Sequence, residues 1–319
     1  MKMISPVVTT RPRMIRTLNH LCFRGFQTSA AGRHQVERLG VIGAGQMGFG
    51  IAYVAAMRAR VPVLLIDNSA ESLAKAGKFL KKLSEKDVAK GKMTGEQAEE
   101  LRGMIEMTDE FSRVGQCDFV IEAVPEIASL KQQIFAELAM STAADATLAT
   151  NTSSISITKI AAAAKGREDR VVATHFMNPV PVQRGVEIIR GLQTSDATVE
   201  RAEALVKAMG KLASVSEDRA GFLANRVLIP YINEAILCLE NGTGTRDGID
   251  SIMVNGCAMP MGPLALADFI GLDTCLSIMN VLFEETQDSK YRASALLRRM
   301  VEAGWLGKKT GRGFYDYSS

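Results

Sequence analysis

The sequence predicts two domains: an α/β domain with a doubly wound, mostly parallel sheet, and then an all-helical domain. A glycine motif stands between a short apolar run and a helix-like segment near residue 45. Apolar strand-like runs then alternate with helical patterns up to about residue 217, which is typical of a parallel sheet covered by helices on both faces. Beyond that point the apolar spacing is helical as far as Phe314. We therefore place the first domain at residues 37–218 and the second at residues 219–319.

The glycine motif opens the α/β domain. It reads Gly43-Ala-Gly45-Gln-Met-Gly48, and a second apolar run ends at Asp67, 19 residues after Gly48. This strand–turn–helix–strand–acid order is typical of a Rossmann-type dinucleotide-binding unit, in which glycines allow a pyrophosphate to approach a helix N-terminus. The Asp67 carboxylate would bind the ribose hydroxyls and repel a 2′-phosphate, which favours NAD over NADP. The alternative is a glycine-rich turn that binds nothing. The predicted NAD contacts of this unit are Gly43, Gly45, Gln46, Met47, Gly48 and Asp67.

Composition narrows the class of protein. The chain has 319 residues, of which 47% are apolar and 23% charged, as expected for a globular protein with sizeable cores. A net charge of +3 is too small to indicate a nucleic-acid partner, and no apolar run reaches the ~18–20 residues of a membrane span. The five cysteines are scattered without a Cys-x-x-Cys pair, so neither a metal site nor a disulfide framework is predicted.

Residues 1–30 are predicted to be a mitochondrial transit peptide outside the fold. Lysine and arginine are interspersed there with hydroxyl residues, and no acid occurs before Glu37. The sequence Arg24-Gly-Phe26 resembles a matrix-protease site that is cut after Phe26. The predicted location is the mitochondrial matrix, and the alternative is a disordered basic tail.

A hairpin of two long helices is predicted after Asp67, at residues 69–90 and 94–104. Ser69 is suited to cap the first helix, whose apolar residues recur at helical spacing. Many of the other positions are lysines, and such a run is usually a solvated face. A protruding basic hairpin would also suit a phosphate-rich substrate, so Lys90 near its tip is a candidate for substrate binding.

Polar side chains follow the remaining predicted strands, which lie at 117–124, 147–150, 171–175 and 185–189. Helices at 128–140 and from residue 156 separate the first three of these strands. Ligands of an open α/β sheet bind beyond the carboxyl ends of its strands. The polar residues at or after these ends are Glu126, Lys131, Asn151, Ser153, Ser154, His175 and Asn178.

His175 is the candidate catalytic residue. It is the only histidine beyond residue 34, and Glu187 follows it by twelve residues on the next predicted strand. A carboxylate there would orient the imidazole and stabilise its protonated form, which suits a group that accepts a proton near neutral pH. The alternative is a structural histidine with satisfied hydrogen bonds.

The second domain is predicted to contain helices at 222–240, 246–255, 263–287 and 293–303, with glycine or proline near most of the breaks. Such domains commonly bury apolar faces against a second copy across a two-fold axis. We therefore predict a homodimer formed through this domain.

Six motifs in one order resemble a known family. From residue 39 to its end, the chain resembles the L-3-hydroxyacyl-CoA dehydrogenase family, and most of all its 3-hydroxybutyryl-CoA dehydrogenases. The resemblance implies NAD-dependent oxidation of an (S)-3-hydroxyacyl-CoA, of short chain such as 3-hydroxybutyryl-CoA, to the 3-ketoacyl-CoA in fatty-acid β-oxidation. The motifs are Asn151-Thr-Ser-Ser, His175-Phe-Met-Asn-Pro-Val-Pro, Val186-Glu-Ile-Ile-Arg-Gly, Gly221-Phe-Leu-Ala-Asn-Arg, Met259-Pro-Met-Gly-Pro and Gly307-Lys-Lys-Thr-Gly-Arg-Gly-Phe-Tyr.

The resemblance also implies roles for residues of this chain. His175 would be the general base on the substrate 3-hydroxyl group, and Glu187 would orient it. Ser153 and Asn225 would hydrogen-bond the reacting oxygen or its surroundings, and Ser153 and Lys90 would contact the substrate. The residues along the NAD site, beside the glycines and Asp67, would be Glu126, Lys131, Ser153, Asn178 and Lys309.

The chain departs from the family at two places. The hairpin serine that contacts CoA in the family aligns here with Leu83, one residue before Ser84, so that contact is not carried over. Relatives usually have Met-Lys-Leu where this chain has Gln183-Arg-Gly. The spacing from His175 to Glu187 is unaffected, but glycine loosens strand packing beside the pair, which leaves the acyl-chain preference open.

Two alternatives share the predicted architecture. Another hydroxyacid dehydrogenase of the same two-domain plan would act on a substrate without CoA, and many such enzymes use a lysine as the catalytic group. A non-catalytic protein that kept the fold would bind NAD and turn nothing over.

Overall fold

The structure is a computed structural model that describes residues 36–318. The predicted transit peptide, residues 1–30, lies outside the described residues. Eight strands form one sheet in the order β3-β2-β1-β4-β5-β6-β7-β8. The strands are β1 Leu39–Ile42, β2 Val63–Ile66, β3 Ile105–Thr108, β4 Phe119–Glu122, β5 Thr147–Thr150, β6 Val171–Phe176, β7 Gly185–Arg190 and β8 Leu212–Glu217.

The sheet is doubly wound and mostly parallel, as predicted. Strands β1 to β6 run parallel, β7 is antiparallel to β6, and β8 is parallel to β7. The strand order reverses between β1 and β4, which is where the crevice of such a sheet opens at the carboxyl ends.

Helices cover both faces of this sheet, so its strands are buried on both sides. In β2, Val63 and Leu65 belong to the core cluster that contains α1 and α6, whereas Leu64 and Ile66 belong to the cluster that contains α4 and α5. This double burial explains the continuous apolar runs in the sequence. The helices of the first domain are α1 Gln46–Val54, α2 Ala70–Ala89, α3 Gly95–Gly103, α4 Ala128–Ser141, α5 Ile157–Ala161 and α6 Asp196–Ala208.

Three elements of the first domain were not predicted. Strand β3 is buried only at its first and last residues, and β8 is a largely exposed edge strand in which serine and glutamate interrupt the apolar residues. Neither has the apolar run by which a buried strand is recognised. Helix α6 lies between β7 and β8 and was also absent from the prediction.

The α2–α3 hairpin forms where it was predicted. Ser69 caps α2 by accepting a hydrogen bond from the Ser72 N–H (3.2 Å), and Thr94 caps α3 in a reciprocal capping box with Gln97. The apolar stripe of α2 faces inward through Ala76 and Leu80.

The second domain consists of helices around a core of their own. The predicted helix at 263–287 is wrong, because Gly271 adopts φ +106° and splits it into α9 and α10, which meet at 96°. Within residues 36–318 no single helix is long and apolar enough to span a membrane, and α9 and α10 reach that length and hydropathy only as this bent pair. The helices are α7 Ala224–Glu240, α8 Arg246–Asn255, α9 Pro263–Ile270, α10 Leu272–Thr286 and α11 Ala295–Glu302.

Candidate active site

The glycine loop joins β1 to α1. Gly43 has φ +100°, and a Cβ atom built there would lie 2.7 Å from the carbonyl oxygen of Ala123. A Cβ atom on Gly48 would lie 1.8 Å from the carbonyl oxygen of Gly43, whereas one on Gly45 would meet nothing within 4 Å. Gly43 therefore permits the turn, Gly48 lets α1 pack against it, and Gly45 leaves space for a ligand beside the backbone.

The N-terminus of α1 is open toward this space. Its N-cap is Gly45, which has no side chain that could accept a hydrogen bond from the N–H groups of the first turn, and that turn contains no acidic residue. The N–H groups of Gln46 and Met47 belong to this first turn, where the helix dipole favours a phosphate.

Asp67 lies beside the loop, directly after β2. Its Oδ2 accepts a hydrogen bond from the Ala44 N–H (2.7 Å), and its Oδ1 accepts one from the Ser69 N–H (2.8 Å). The carboxylate thus supports the turn and keeps a negative charge next to it, where a 2′-phosphate would be repelled. The open glycine space, the uncapped helix N-terminus and this acid together fit a dinucleotide such as NAD.

Glu126 organises the loop after β5. Its Oε1 accepts hydrogen bonds from the Thr152 hydroxyl (2.6 Å), the Ser153 N–H (2.8 Å) and hydroxyl (3.1 Å), and the Ser154 N–H (3.2 Å). Burial opposes the charge, but the hydrogen bonds from the loop and the charge of Lys131 hold the pKa of Glu126 below its usual range. The predicted residue Ser153 is therefore held in place by a charged partner.

Lys131 lies beneath Glu126 and not in the cofactor space. Its side chain has 0% exposure, and its Nζ is 2.7 Å from Glu122 Oε1 and 3.5 Å from Glu126 Oε2. Glu122 is equally buried in β4, and burial raises the pKa of its carboxyl group even though Lys131 opposes the shift. Lys131 is predicted to contact NAD. In this structure its ammonium lies between Glu122 and Glu126, so the side chain supports the site from below by holding Glu126 and β4.

His175 and Glu187 form a buried pair at the antiparallel step of the sheet. The register of β6 and β7 places the two residues opposite each other, and Nδ1 of His175 is 2.7 Å from Oε2 of Glu187. His175 is 9% exposed and Glu187 is 5% exposed. Because Nδ1 is hydrogen-bonded to the carboxylate, Nε2 is the ring nitrogen that can accept a proton from a substrate.

Glu187 also connects the two domains. Its Oε1 accepts hydrogen bonds from the N–H groups of Leu223 and Ala224, both at 2.8 Å, at the start of α7. Burial opposes the charge of Glu187, but the hydrogen bonds from His175 and from this helix start hold its pKa below the usual range. The carboxylate is therefore charged at neutral pH, and its Oε2 lies 2.7 Å from Nδ1 of the imidazole.

The start of α7 closes the site from the second domain. Phe222 is 3% exposed and has φ +48°, a left-handed conformation that is rare for a bulky residue. Its ring lies edge to face with the imidazole of His175, with 6.2 Å between centroids. The Asn225 amide donates a hydrogen bond to the Ser153 carbonyl oxygen (3.1 Å). The structure thus brings Ser153 and Asn225 together, although the amide reaches the serine backbone and not its hydroxyl.

Asn178 lies on the loop between β6 and β7, next to the glycine loop. Its Oδ1 accepts a hydrogen bond from Nε2 of Gln46, the first residue of α1, at 3.0 Å. The Asn178–Pro179 peptide bond is cis. The structure therefore places Asn178 beside the predicted NAD contacts of α1.

Two predicted ligand residues lie apart from this cluster. Lys309 belongs to the second domain, where its ammonium pairs with both oxygens of Asp273 (2.6 and 2.7 Å). Within residues 36–318 no hydrogen bond or ion pair joins Lys309 to the glycine loop. Lys90 is exposed at the C-cap of α2, at the tip of the hairpin as predicted. Ser84 is fully buried and accepts a hydrogen bond from Arg102 (3.0 Å), so it is not available to a ligand.

Several residues that support the site were not predicted from the sequence. Glu122 had a signal, because a carboxylate inside an apolar strand run needs a buried partner. Thr152 belongs to the Asn151-Thr-Ser-Ser motif, but the motif does not predict its hydrogen bond to Glu126, because the two residues are 26 positions apart in sequence. Phe222 has no local signal, since nothing in the sequence indicates a left-handed phenylalanine.

The cluster combines a base with groups that can hold an alcohol. His175 has a charged partner at Nδ1, and the Asn225 amide joins the start of α7 to Ser153, two polar residues that the family resemblance assigns to the reacting oxygen. Within residues 36–318 no group of three or more His, Cys, Asp or Glu side chains is arranged to hold a metal ion. Such an arrangement suits proton abstraction from a hydroxyl group beside a bound dinucleotide.

Comparison with known families identifies the chain. The family model described as 3-hydroxyacyl-CoA dehydrogenase, NAD binding domain, matches residues 38–219, and that of the C-terminal domain of the same enzymes matches residues 221–317. The chain belongs to the 3-hydroxyacyl-CoA dehydrogenase family. This membership confirms the predicted family, the Rossmann-type fold, an oxidoreductase activity and NAD as the cofactor.

Relatives within the 3-hydroxyacyl-CoA dehydrogenase family include bacterial and mitochondrial proteins. The chain is 49% identical to a 3-hydroxybutyryl-CoA dehydrogenase of Bradyrhizobium diazoefficiens over 282 residues, 88% of this chain and 96% of that protein. It is 39% identical to the mitochondrial hydroxyacyl-coenzyme A dehydrogenase of Homo sapiens over 289 residues, 88% of this chain and 91% of that protein. The crystal structure of an (S)-3-hydroxybutyryl-CoA dehydrogenase from Ralstonia eutropha matches with a TM-score of 0.86 at 43% identity, covering 89% of this chain and 100% of that one.

Proposed function

We propose that this protein oxidises (S)-3-hydroxyacyl-CoA thioesters to 3-ketoacyl-CoA thioesters with NAD as the acceptor, and that its substrate is a short-chain thioester such as 3-hydroxybutyryl-CoA. The observation that carries the proposal is the buried His175–Glu187 pair, whose side chains are 2.7 Å apart. His175 lies on β6, the neighbour of β5, and Glu126 holds the loop that follows β5. The short-chain preference is supported by the names of two relatives reported above, a 3-hydroxybutyryl-CoA dehydrogenase at 49% identity and an (S)-3-hydroxybutyryl-CoA dehydrogenase at 43%. Fatty-acid β-oxidation is the process in which such a reaction belongs.

The residues of the site supply proton transfer and positioning. The substrate hydroxyl donates its proton to Nε2 of His175, and the resulting imidazolium keeps its Nδ1–H on the charged Glu187. Ser153 and Asn225 hold the oxygen from which the proton leaves, which fixes C3 of the substrate in one orientation. When bound, NAD supplies the acceptor for the hydride from C3. Burial of the pair excludes water, which strengthens the interaction between the imidazolium and the carboxylate.

The proposal is tested by NADH absorbance with acetoacetyl-CoA as the substrate of the reverse reaction. The wild-type protein is expected to consume NADH, and His175→Ala is expected to lose this activity while it still binds NADH. Full activity of the variant would refute the mechanism, and NADH binding by an inactive wild type would indicate a non-catalytic protein. Comparison of free 3-hydroxybutyrate with its CoA thioester separates a CoA enzyme from another hydroxyacid dehydrogenase.

The CoA moiety is proposed to lie along the α2–α3 hairpin, with Lys90 at its phosphate groups. The exposure of this lysine at the hairpin tip supports the proposal. Rates with a series of short, medium and long acyl-CoA substrates measure the chain-length preference.

A homodimer through the second domain is part of the proposal. Large apolar side chains are exposed on three of its helices: Val227 on α7 at 72%, Ile252 on α8 at 60% and Phe269 on α9 at 55%. Sedimentation equilibrium of the wild type and of Ile252→Glu measures the oligomeric state directly.

The proposed location is the mitochondrial matrix. It is supported by the basic, acid-free residues 1–30, which lie outside the described part of the chain. The test is the location of a fluorescent protein that carries residues 1–36 at its N-terminus, and a cytosolic signal would refute the proposal.

A further inference from the structure

Lys211 is a buried lysine for which the proposed reaction has no use. It precedes β8, is 7% exposed, and its ammonium donates hydrogen bonds to the carbonyl oxygens of Val180 and of Gln183, the latter at 2.6 Å. Among residues 36–318 no carboxylate forms an ion pair with it. Burial, and to a lesser degree Arg58, lowers the pKa of Lys211. A buried ammonium persists only where strong hydrogen bonds offset the loss of water, and here both named partners belong to one loop.

That loop, residues 177–184, connects the two strands that carry the catalytic pair. Within it, the carbonyl oxygen of Pro179 accepts hydrogen bonds from the N–H groups of Val182 and Gln183, both at 3.0 Å. At its end the Leu212 N–H donates to the carbonyl oxygen of Arg184 (2.9 Å). The ammonium of Lys211 binds the carbonyl groups of Val180 and Gln183 as well, so it ties the loop to the residue that precedes β8.

The same loop rests on the nucleotide-binding helix at two points. Val180 is 2% exposed, and a Cβ atom built on Gly50 of α1 would lie 2.9 Å from the Val180 Cβ, so the two elements approach as closely as a glycine allows. Near its beginning, Asn178 accepts the hydrogen bond from Gln46 of the first turn of α1 (3.0 Å). A shift of the loop would therefore move Asn178 away from the turn that faces the phosphates.

We propose that Lys211 is a positioning residue for the NAD site, which acts by holding the 177–184 loop against the first turn of α1. This inference rests on the proposed function, because it assumes that the space beside Gly45 binds NAD. It assigns to Lys211 an effect on cofactor affinity. Among residues 36–318 no hydrogen bond joins this loop to the α2–α3 hairpin or to α7, where the acyl-CoA is proposed to bind, so we expect a smaller effect on that side of the cleft.

The test compares Lys211→Met with Lys211→Arg in the full-length protein. The methionine keeps the length of the side chain and removes the donor, so two carbonyl groups lose a buried partner. We expect NADH affinity, measured by fluorescence titration, to fall by about tenfold in Lys211→Met, and the KM for NAD to rise equally. The KM for acetoacetyl-CoA is expected to stay within about twofold of the wild type. Lys211→Arg retains donors and is expected to stay within about threefold of the wild type in NADH affinity.

Arg167→Met is the matched control for general destabilisation. Arg167 also donates to backbone carbonyl oxygens, among them those of Ala139 and Thr142 at 3.4 Å. These precede β5 at the amino ends of the parallel strands, whereas the 177–184 loop follows the carboxyl end of β6. This variant is expected to lose thermal stability and to bind NADH as the wild type does. If Lys211→Met does not fold, Val180→Ala replaces it, because that change removes the Cγ2 atom that packs beside Gly50, loosens the loop against α1 and is expected to weaken NADH binding in the same selective way.

The outcomes separate the inference from the proposed function. Wild-type NADH affinity in Lys211→Met, or in Val180→Ala where that variant replaces it, overturns the inference. An equal loss of NADH affinity in Arg167→Met overturns it as well, since the effect would then be general. A wild type that binds NADH without oxidising 3-hydroxybutyryl-CoA refutes the proposed function, whereas a selective loss of NADH affinity in Lys211→Met still supports the role of Lys211.

Discussion

Glu187→Gln is the substitution that most directly probes the catalytic pair. The carboxylate accepts hydrogen bonds at both oxygens: from His175 at 2.7 Å on one side, and from the N–H groups of Leu223 and Ala224 at 2.8 Å on the other. A glutamine has a single acceptor oxygen. If that oxygen keeps the two backbone N–H groups, the side-chain NH₂ group faces Nδ1, which must then accept a hydrogen bond. The imidazole is forced into the tautomer with a proton on Nε2, and this atom can no longer take the substrate proton.

The size of the effect follows from this geometry. A wrong tautomer in a histidine–carboxylate pair of intact geometry lowers kcat by about 10⁴-fold, which corresponds to ~5 kcal/mol in the barrier. We expect about 10³- to 10⁴-fold for Glu187→Gln. Stability should fall by less, about 2 kcal/mol, because two hydrogen bonds remain but lose their charged acceptor. Affinity for NADH should be unchanged, since Glu187 does not contact the glycine loop.

The pH dependence of stability gives a second measurement on the same variant. The pKa of Glu187 is lower in the folded protein than its ordinary value of 4.5, so its charge stabilises the fold above that value. This contribution is lost as the pH falls through the lowered folded-state pKa. The difference in urea unfolding free energy between wild type and Glu187→Gln is therefore expected to be constant near neutral pH and to narrow below about pH 4.5.

The assay is steady-state NADH consumption with acetoacetyl-CoA, together with urea denaturation across this pH range. Glu200→Gln, at an exposed position of α6, is the control for loss of one negative charge and should behave as the wild type. A kcat for Glu187→Gln within about threefold of the wild type would refute the tautomer argument. A stability difference that widens at low pH would refute the sign of the pKa shift.

Two further substitutions test the cofactor side and its support. Asp67→Ser removes the charge that would face a 2′-phosphate, so the ratio of kcat/KM for NADP to kcat/KM for NAD should rise by about 10- to 100-fold. Asp109→Ser, at an exposed position, is the control. An unchanged ratio in Asp67→Ser would contradict the role of Asp67. Lys131→Met leaves the fully buried Glu122 without its cation, and the free energy of unfolding should fall by about 3–5 kcal/mol. Because burial raises the pKa of Glu122, the folded protein favours the protonated carboxyl group more than the unfolded chain does. The free energy of unfolding of Lys131→Met should therefore fall further as the pH rises. The double variant Lys131→Met with Glu122→Gln should recover stability at neutral pH and lose this pH dependence.

Local patterns were sufficient for the parts of the site that are contiguous in sequence. The glycine spacing predicts the turn, the open helix N-terminus and the position of Asp67, because each is determined by backbone sterics within one strand–turn–helix–strand unit. The spacing of His175 and Glu187 predicts their contact for a related reason. They lie on neighbouring antiparallel strands joined by one loop, so the register that buries both strands also pairs these residues.

Only the tertiary structure decided which charged residues are buried and which partners they bind. Lys131 and Lys309 were expected to line the NAD site, yet one is buried under Glu126 and the other pairs with Asp273 in the second domain. The left-handed Phe222 and the contact between Asn225 and Ser153 arise where the second domain returns to the sheet. These features depend on residues distant in sequence, and the balance between burial and pairing that places a charged side chain is set by three-dimensional packing, which no local period encodes.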